Sequence, residues 1–152
     1  MTVVGFTGTR KSMSAGQLKT VRKILEGMQL LVKDQSISNV SVVHGDCIGA
    51  DEEFDGIASS LGIERQIYPC TLEDQRAHCE NLGAKVKQKS KPPLERNKDI
   101  VKSSNIVIAT PSSNVEEQRS GTWATIRFAR KTKAMLIIVF PDGKTAKENI
   151  WI

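Results

Sequence analysis

The sequence predicts an α/β fold, a Rossmann-like three-layer sandwich with a mostly parallel central sheet of about five strands. β-branched runs that indicate strands alternate along the chain with stretches of helical hydrophobic period. Glycine-containing turns follow several of these strands, and a parallel sheet brings such turns together at one edge. The 152 residues are enough for a single domain, residues 1–152, to bury a core without disulfides.

Composition narrows the class of protein. Hydrophobic content of 39% and charged content of 26% are those of a globular chain. No apolar run approaches the roughly 18 residues of a membrane span, so no membrane contact is expected. The three cysteines are odd in number and unpatterned, which favours a reduced, cytoplasmic protein. Because Cys70, His78 and Cys79 lack the paired spacing of a zinc site, we expect neither a metal nor a cofactor.

The net charge of +5 suits an anionic ligand, and it equally suits nonspecific contact with nucleic acid. Nucleic acid is nonetheless not an expected partner. The chain has two tryptophans, one tyrosine and four phenylalanines, most of them at predicted core positions, which leaves little for a base-stacking surface.

The first half of the chain predicts alternating strands and helices. Ser14 is a good N-cap, and the apolar residues after it keep a helical period to Val32. Gly62 is a suitable stop for the second helix. The predicted segments are residues 2–7 (strand), 15–32 (helix), 40–44 (strand), 52–61 (helix) and 63–68 (strand).

The second half is less regular. Residues 71–84 have a thin apolar pattern and predict a loose helix or an excursion, and the basic residues 85–93 predict an exposed loop. The remaining predicted segments are residues 94–103 (helix), 105–109 (strand), 110–120 (polar loop), 121–131 (helix), 134–140 (strand) and a small edge strand at 149–152.

Residues 40–51 carry the clearest functional signal. A β-branched strand runs through Gly45 and Gly49 into a helix, which is the outline of a phosphate site. Glycines let the backbone approach an anion, and the free amides of a helix's first turn point at it. Two similar turns end other predicted strands, Gly8-Thr9-Arg10 and Ser120-Gly121-Thr122, so all three are expected at one edge of the sheet.

Four short motifs resemble, in order and spacing, those of the SLOG superfamily of Rossmann-like domains. The motifs are residues 5–10, residues 44–51, Arg96-Asn97 and residues 120–123, and they span nearly the whole chain. The superfamily includes the Lonely Guy phosphoribohydrolases, the DNA-processing protein DprA and sensors of nucleotide-derived signals. The resemblance implies one SLOG-like domain with a pocket for a nucleoside monophosphate or an ADP-ribose-like molecule.

The resemblance also implies where the ligand lies. Its phosphate would sit against the Gly121-Thr122 turn and the N-terminus of the following helix. Arg96 takes the place of the arginine that Lonely Guy enzymes use in catalysis; its structural alternative is an ion pair with a carboxylate such as Asp99. The residues expected to contact the ligand are Gly8, Thr9, Arg10, Gly45, Asp46, Cys47, Gly49, Asp51, Arg96, Asn97, Arg119, Ser120, Gly121, Thr122 and Trp123.

One position departs from the hydrolase pattern. Lonely Guy enzymes carry the motif Pro-Gly-Gly-x-Gly-Thr-x-x-Glu, whose glutamate supports cleavage of the N-glycosidic bond, and Thr125 stands where that glutamate would be. A threonine hydroxyl carries no negative charge and does not activate water well. The catalytic residues are therefore unknown; if the chain is an enzyme, the candidates are Arg96 with Asp46, Asp51 or Glu95.

Three functions remain open. The first is binding of a nucleotide-derived small molecule, such as a nucleoside monophosphate or an ADP-ribose or cyclic-ADP-ribose signal. Such binding could serve to sequester the molecule. The alternative is a nucleotide N-glycosidase, a phosphoribohydrolase that releases the base from a nucleoside 5′-monophosphate. The third is single-stranded DNA binding. Because SLOG relatives often pair through helices, we expect a homodimer or higher homo-oligomer.

Several side chains also have a structural alternative. Asp46 can hold a ribose hydroxyl or satisfy the amides of its own turn. Asp51 can serve only as the N-cap of the second helix. Trp123 can stack on a base or pack in the core. His44 ends a buried strand and is expected to be a hydrogen-bonded structural residue rather than a catalytic one.

Overall fold

A computed structural model describes residues 1–150 and contains a seven-stranded sheet flanked by helices. The predicted Rossmann-like α/β class with a mostly parallel sheet is confirmed, with seven strands instead of about five. The strands are β1 Thr2–Gly8, β2 Val40–His44, β3 Glu64–Ile67, β4 Lys85–Val86, β5 Ile106–Thr110, β6 Met135–Val139 and β7 Thr145–Glu148. The helices are α1 Ala15–Lys33, α2 Ala50–Ser60, α3 Pro93–Ser103 and α4 Gly121–Lys131.

The two additional strands lie at the edges of the sheet. Strand β4 has two exposed residues and pairs in parallel with β3, inside the basic segment that the sequence predicts as a loop. Strand β7 pairs antiparallel with β6 and precedes the edge strand predicted at residues 149–152, of which residues 151–152 lie outside the described part of the chain. Neither strand has the buried apolar pattern by which strands are recognised, which is why the sequence misses them.

Helices cover both faces of the sheet. On one face, α1 and α2 bury Leu25 and Phe54 against Val4 and Phe6 of β1, and the rings of Phe6 and Phe54 stack with centroids 4.2 Å apart. On the other face, α3 packs against α4, whose Ile126 lies in a cluster formed with residues of β5 and β6. Burial of this apolar surface is the main stabilising contribution to the fold.

The start of α1 is fixed as its sequence predicts. The Ser14 hydroxyl accepts from the Gln17 amide at 3.0 Å, and the Gln17 side chain accepts from the Ser14 amide, which completes a capping box. The buried Gln17 Nε2 also donates to the carbonyl oxygens of Pro111 (2.7 Å) and Val139 (2.9 Å). The cap therefore joins α1 to the ends of β5 and β6.

The predicted excursion at residues 71–84 contains two short 3-10 helices, Glu73–Gln75 and Cys79–Leu82, instead of one loose helix. No helix among residues 1–150 is long and apolar enough to cross a membrane.

In the strand order β4-β3-β2-β1-β5-β6-β7, β1 lies between β2 and β5. The chain adds strands first on one side of β1 and then on the other. Strand β1 pairs in parallel with β2 on one side and with β5 on the other, so the connections leave it towards opposite edges of the sheet. In sheets of this kind a crevice opens at the carboxyl ends of the strands on either side of the reversal. The turns after β1, β2 and β5 therefore meet there.

Gly49 lies in one of these turns and has a φ of +91°, and a Cβ at this position would collide with the Arg10 carbonyl. We expect Gly49→Ala to lower the free energy of unfolding by at least about 2 kcal/mol, because it adds both backbone strain and a steric clash. The measurement is urea unfolding followed by circular dichroism.

Gly27→Ala is the matched control, since a Cβ at this exposed position of α1 meets nothing within 4 Å. It should raise the free energy of unfolding by about 0.5–1 kcal/mol through the higher helix propensity of alanine. Equal stability of the two variants would show that the turn at Gly49 is not closely packed.

Candidate functional site

A cavity of about 620 Å³ opens at the carboxyl ends of β1, β2 and β5. Its volume lies within the range of small-molecule sites. The turns that the sequence singles out supply much of its wall, and the helix starts of α3 and α4 supply more. The lining residues are Phe6, Thr7, Gly8, Thr9, Arg10, Lys11, Gly45, Cys47, Asp51, Leu72, Gln75, Pro93, Arg96, Asn97, Ile100, Ser112, Arg119, Ser120, Gly121 and Thr122.

Most residues predicted to contact a ligand are brought together by this cavity, and their contact with a ligand stays a prediction. Four of the named candidates do not line it: Asp46, Gly49, Glu95 and Trp123. Leu72 and Gln75 also line the cavity, although the sequence does not predict it. They lie in the irregular segment between β3 and β4, where neither periodicity nor a motif indicates a cavity residue.

Four amides of the turn after β2 already have partners inside the protein. The Asp46 amide donates to Nδ1 of His44 at 3.0 Å, and the Cys47 amide donates to Oδ2 of Asp51 at 3.2 Å. The Ile48 and Ala50 amides donate to carbonyl oxygens of neighbouring segments, at 2.9 Å and 3.0 Å. A phosphate at these amides would compete with these partners, and phosphate binding by this turn stays a prediction.

The glycines of this turn serve close packing. A Cβ on Gly45 would lie 2.6 Å from Cζ of Arg96, so Gly45 leaves room for that guanidinium. Arg96 is 3% exposed. Its Nη1 donates to the carbonyl oxygens of Gly45 and Tyr68, the latter at 2.9 Å, and its Nε donates to Oδ1 of Asn97 at 2.8 Å. Arg96 thus lines the cavity with a guanidinium already occupied by protein oxygens.

The alternative partner that the sequence suggests for Arg96 is bound elsewhere. Oδ2 of Asp99 accepts from Lys91 Nζ at 2.8 Å and from Gln88 Nε2 at 3.0 Å. The hydrogen bond from Lys91, together with that from Gln88, lowers the pKa of Asp99.

Asp46 is a structural carboxylate, but its partners lie outside its own turn. It is fully buried with a φ of +58°, and its Oδ1 accepts from the Cys79 amide at 2.8 Å. Its Oδ2 forms a 2.8 Å ion pair with Arg76, which also binds Glu80. Asp46 thus fixes its turn to the segment after β3 and does not line the cavity.

His44 is hydrogen-bonded on both ring nitrogens. Its Nδ1 accepts from the Asp46 amide, so Nε2 carries the proton and donates to Oδ1 of Asp55 at 2.8 Å. Burial acts to raise the pKa of Asp55, but hydrogen bonds and charge from His44 and Arg65 bring it below its usual value. Cys79 lies close enough to complete a group of three metal-ligand types with His44 and Asp55, yet a metal would have to displace both the Nε2 proton and Arg65.

Trp123 packs in the core, which is the structural alternative to stacking on a base. Its side chain is 3% exposed and packs in the cluster that contains Ile126 and Leu136, with the Arg130 guanidinium 6.0 Å from its ring centroid. It therefore cannot stack on a base in the cavity.

Asp51 is the only acidic side chain that lines the cavity among residues 1–150. It is not the N-cap of α2, because Gly49 occupies that position, and its Oδ2 instead accepts from the Cys47 amide. Its Oδ1 has no hydrogen-bond partner. Burial raises the pKa of Asp51, and the charge of Arg96 and hydrogen bonds from backbone amides oppose this shift only in part. The other carboxylate candidate on α3, Glu95, is exposed and outside the cavity.

The N-terminus of α4, unlike that of α2, has a side-chain cap. Ser120 is the N-cap, and its hydroxyl accepts from the Trp123 amide at 3.2 Å. The amides of Gly121 and Thr122 have no hydrogen-bond partner in the described chain, and a Cβ on Gly121 would meet nothing within 4 Å. Thr125, at the position of the hydrolase glutamate, is buried and donates its hydroxyl to the Gly121 carbonyl at 3.0 Å.

Cationic side chains also line the cavity. Arg10, Lys11 and Arg119 are exposed residues of its wall, contributed by the turns after β1 and β5. The turn after β1 lies against the start of α2, since the Ala50 amide donates to the Thr9 carbonyl at 3.0 Å. The three cations and the positive end of the α4 dipole make the cavity attractive to an anion.

The raised pKa of Asp51 has a consequence for stability. A carboxyl whose folded pKa lies above its unfolded pKa destabilises the fold once pH rises above the unfolded value, because the buried charge must then form. Near pH 7 we expect Asp51→Asn to raise the free energy of unfolding by roughly 1–2 kcal/mol, since the amide keeps the contact with Cys47 without charge. The gain should shrink as pH falls from 7 towards 4, because the folded carboxyl becomes neutral as pH falls through its raised pKa.

Glu52→Gln removes an exposed charge from the same turn of α2 and should leave stability nearly unchanged at both pH values. Urea unfolding of both variants at the two pH values makes the comparison. A gain for Asp51→Asn that is as large near pH 4 as near pH 7 would contradict a buried, costly charge.

No family model and no curated protein matches the chain. Solved structures do resemble it. DprA from Streptococcus pneumoniae superposes with a TM-score of 0.65 at 18% identity, over 91% of this chain and 50% of DprA. DprA from Helicobacter pylori, described for its single-stranded DNA binding mode, gives 0.60 at 16% identity, over 90% of this chain and 64% of DprA.

A third structure, of the protein TM1055, gives a TM-score of 0.58 at 14% identity, over 90% of this chain and 72% of that protein. The present chain thus spans half of one DprA protein and just under two thirds of the other. Likeness at such low identity concerns the path of the backbone. The chain therefore shares its Rossmann-like fold with the DprA proteins and TM1055.

Proposed function

We propose that the protein binds a nucleotide-derived small molecule, a nucleoside monophosphate or an ADP-ribose-type signal, in the cavity at the carboxyl ends of its strands. The observation that carries the proposal is the pair of unpartnered amides at Gly121 and Thr122, which face a cavity of about 620 Å³. Amides at a helix N-terminus bind phosphate oxygens through direct hydrogen bonds and the helix dipole.

The electrostatics of the cavity support a phosphate at α4. Arg119 directly precedes Ser120, the N-cap of α4, whereas Asp51 lies in the first turn of α2. An anion is attracted to the cation and repelled by the carboxylate once that is ionised. We therefore propose that the phosphate binds at α4, as the SLOG resemblance implies.

Single-stranded DNA is the rival ligand. The small number of aromatic residues in the sequence disfavours nucleic acid as a ligand. The likeness to DprA is at odds with that expectation, since the Helicobacter pylori protein binds single-stranded DNA. Salt dependence separates the two ligands. With six or more phosphate contacts, DNA affinity falls by about 1,000-fold or more between about 50 and 200 mM salt, whereas a single phosphate gives a much shallower dependence.

Arg119→Gln should weaken nucleotide binding by about 10-fold, because it removes a charge-assisted contact next to the free amides. Affinities for AMP, GMP, CMP, UMP, ADP-ribose and cyclic ADP-ribose are measured by titration calorimetry, and oligo(dT) is measured in parallel at low and high salt.

Arg22→Gln is the control, since it removes the same charge from an exposed position of α1 outside the cavity. It should not change nucleotide affinity. Binding that is equally weakened by both substitutions would indicate a general charge effect. A protein that binds oligo(dT) but none of the small molecules would overturn the proposal in favour of DNA.

One observation favours hydrolysis as a second candidate activity. Of the three carboxylates that the sequence offers, only Asp51 lines the cavity, and its raised pKa makes the ionised carboxylate a stronger base. In hydrolysis, water adds to the anomeric carbon as the N-glycosidic bond breaks, and the departing base takes up a proton. Asp51 would accept the proton of the attacking water.

If the protein hydrolyses nucleotides, Asp51→Asn should reduce base release by about 100-fold or more while nucleotide affinity changes little. Chromatography of the ligand after incubation measures free base and ribose phosphate, and Glu52→Gln is again the matched control. Recovery of intact ligand from the unmodified protein would exclude hydrolysis and leave a binding or sequestering protein.

The expected homodimer or higher homo-oligomer stays a prediction.

A further inference from the structure

The cavity has an apolar wall on the side that follows β3. Leu72 and Pro93 line it, and Leu72 is 42% exposed. Leu72 belongs to none of the hydrophobic core clusters formed by residues 1–150. An exposed leucine in a cavity wall has apolar surface available for a bound molecule.

Backbone hydrogen bonds fix this leucine from both sides. Just before it, the Thr71 amide donates to the Lys91 carbonyl at 3.1 Å, and the Lys91 amide donates to the Pro69 carbonyl at 3.2 Å. Just after it, the Gln75 amide donates to the Leu72 carbonyl at 2.9 Å. The position of Leu72 is thus set by the fold, and a ligand can use it without first ordering a loop.

The apolar side chains and the free amides of α4 belong to different segments of the cavity wall. Leu72 lies in the segment after β3, and the free amides of α4 follow β5. A complementary ligand carries its phosphate at one end and an apolar, planar group at the other.

We propose that Leu72 and Pro93 form the subsite for the base of a bound nucleotide. The inference rests on the proposed function and specifies its ligand class: nucleotides that retain their base, in preference to sugar phosphates. Contact with the two side chains removes apolar surface of both ring and protein from water, so purine nucleotides gain more than pyrimidine nucleotides.

The test compares ligands with and without a base. Affinities for AMP, GMP, CMP, UMP and ribose 5-phosphate are measured by titration calorimetry on the unmodified protein and on Leu72→Ser. On the unmodified protein, at least one purine nucleotide should bind about 10-fold or more tightly than ribose 5-phosphate. Leu72→Ser should remove most of this preference and leave the affinity for ribose 5-phosphate within about twofold.

Leu82→Ser is the matched control, because Leu82 is 71% exposed in the same chain segment and does not line the cavity. It should change neither affinity. Leu72→Met keeps the apolar volume and should retain the preference for nucleotides. Circular dichroism confirms folding, and Leu72→Met keeps the test valid even if the serine variant fails to fold.

Failure of the inference differs from failure of the proposed function. If nucleotides and ribose 5-phosphate bind the unmodified protein equally, or if Leu72→Ser weakens both equally, the base subsite is wrong while the phosphate site at α4 stands. If none of the five molecules binds, the inference fails together with nucleoside monophosphate binding at this site.

Discussion

A buried guanidinium holds together the part of the molecule on which the cavity depends. Arg96 extends from α3 to the carbonyl oxygens of Gly45, at the end of β2, and Tyr68, just after β3. One side chain thereby joins two strand ends to a helix on one face of the sheet. The arrangement requires a glycine at position 45, where a Cβ would lie 2.6 Å from the guanidinium carbon. A buried cation is expensive to leave unpaired, so these contacts determine the shape of the cavity floor.

The two helix starts in the cavity wall differ in charge. At α4, the amides of Gly121 and Thr122 have no partner in the described chain, and Arg119 directly precedes the N-cap. At α2, four amides of the preceding turn are bonded inside the protein, and Asp51 is held in a setting that raises its pKa. Part of this difference arises from long-range partners such as the Gln75 carbonyl, which accepts from the Ile48 amide and is far from the turn in sequence.

The sequence predicts the fold well where periodicity is strong. Strand β2 and helix α4 have the predicted bounds, and the cap at Ser14 is in place. Strand β4 is missed because its two residues are exposed and lie at an edge, where no apolar alternation is required. The roles of Gly45 and Gly49 cannot be read from the sequence, since a glycine that admits an anion and one that admits a neighbouring side chain or backbone look identical until the fold places the neighbour.

The position of Asp51 has a consequence for the potential inside the cavity. It shares the wall with Arg10, Lys11, Arg96 and Arg119, whose positive charges attract an anion. An ionised Asp51 would cancel part of this positive potential. Because burial raises the pKa of Asp51, the cavity keeps its full positive charge to a higher pH than it would with an ordinary aspartate.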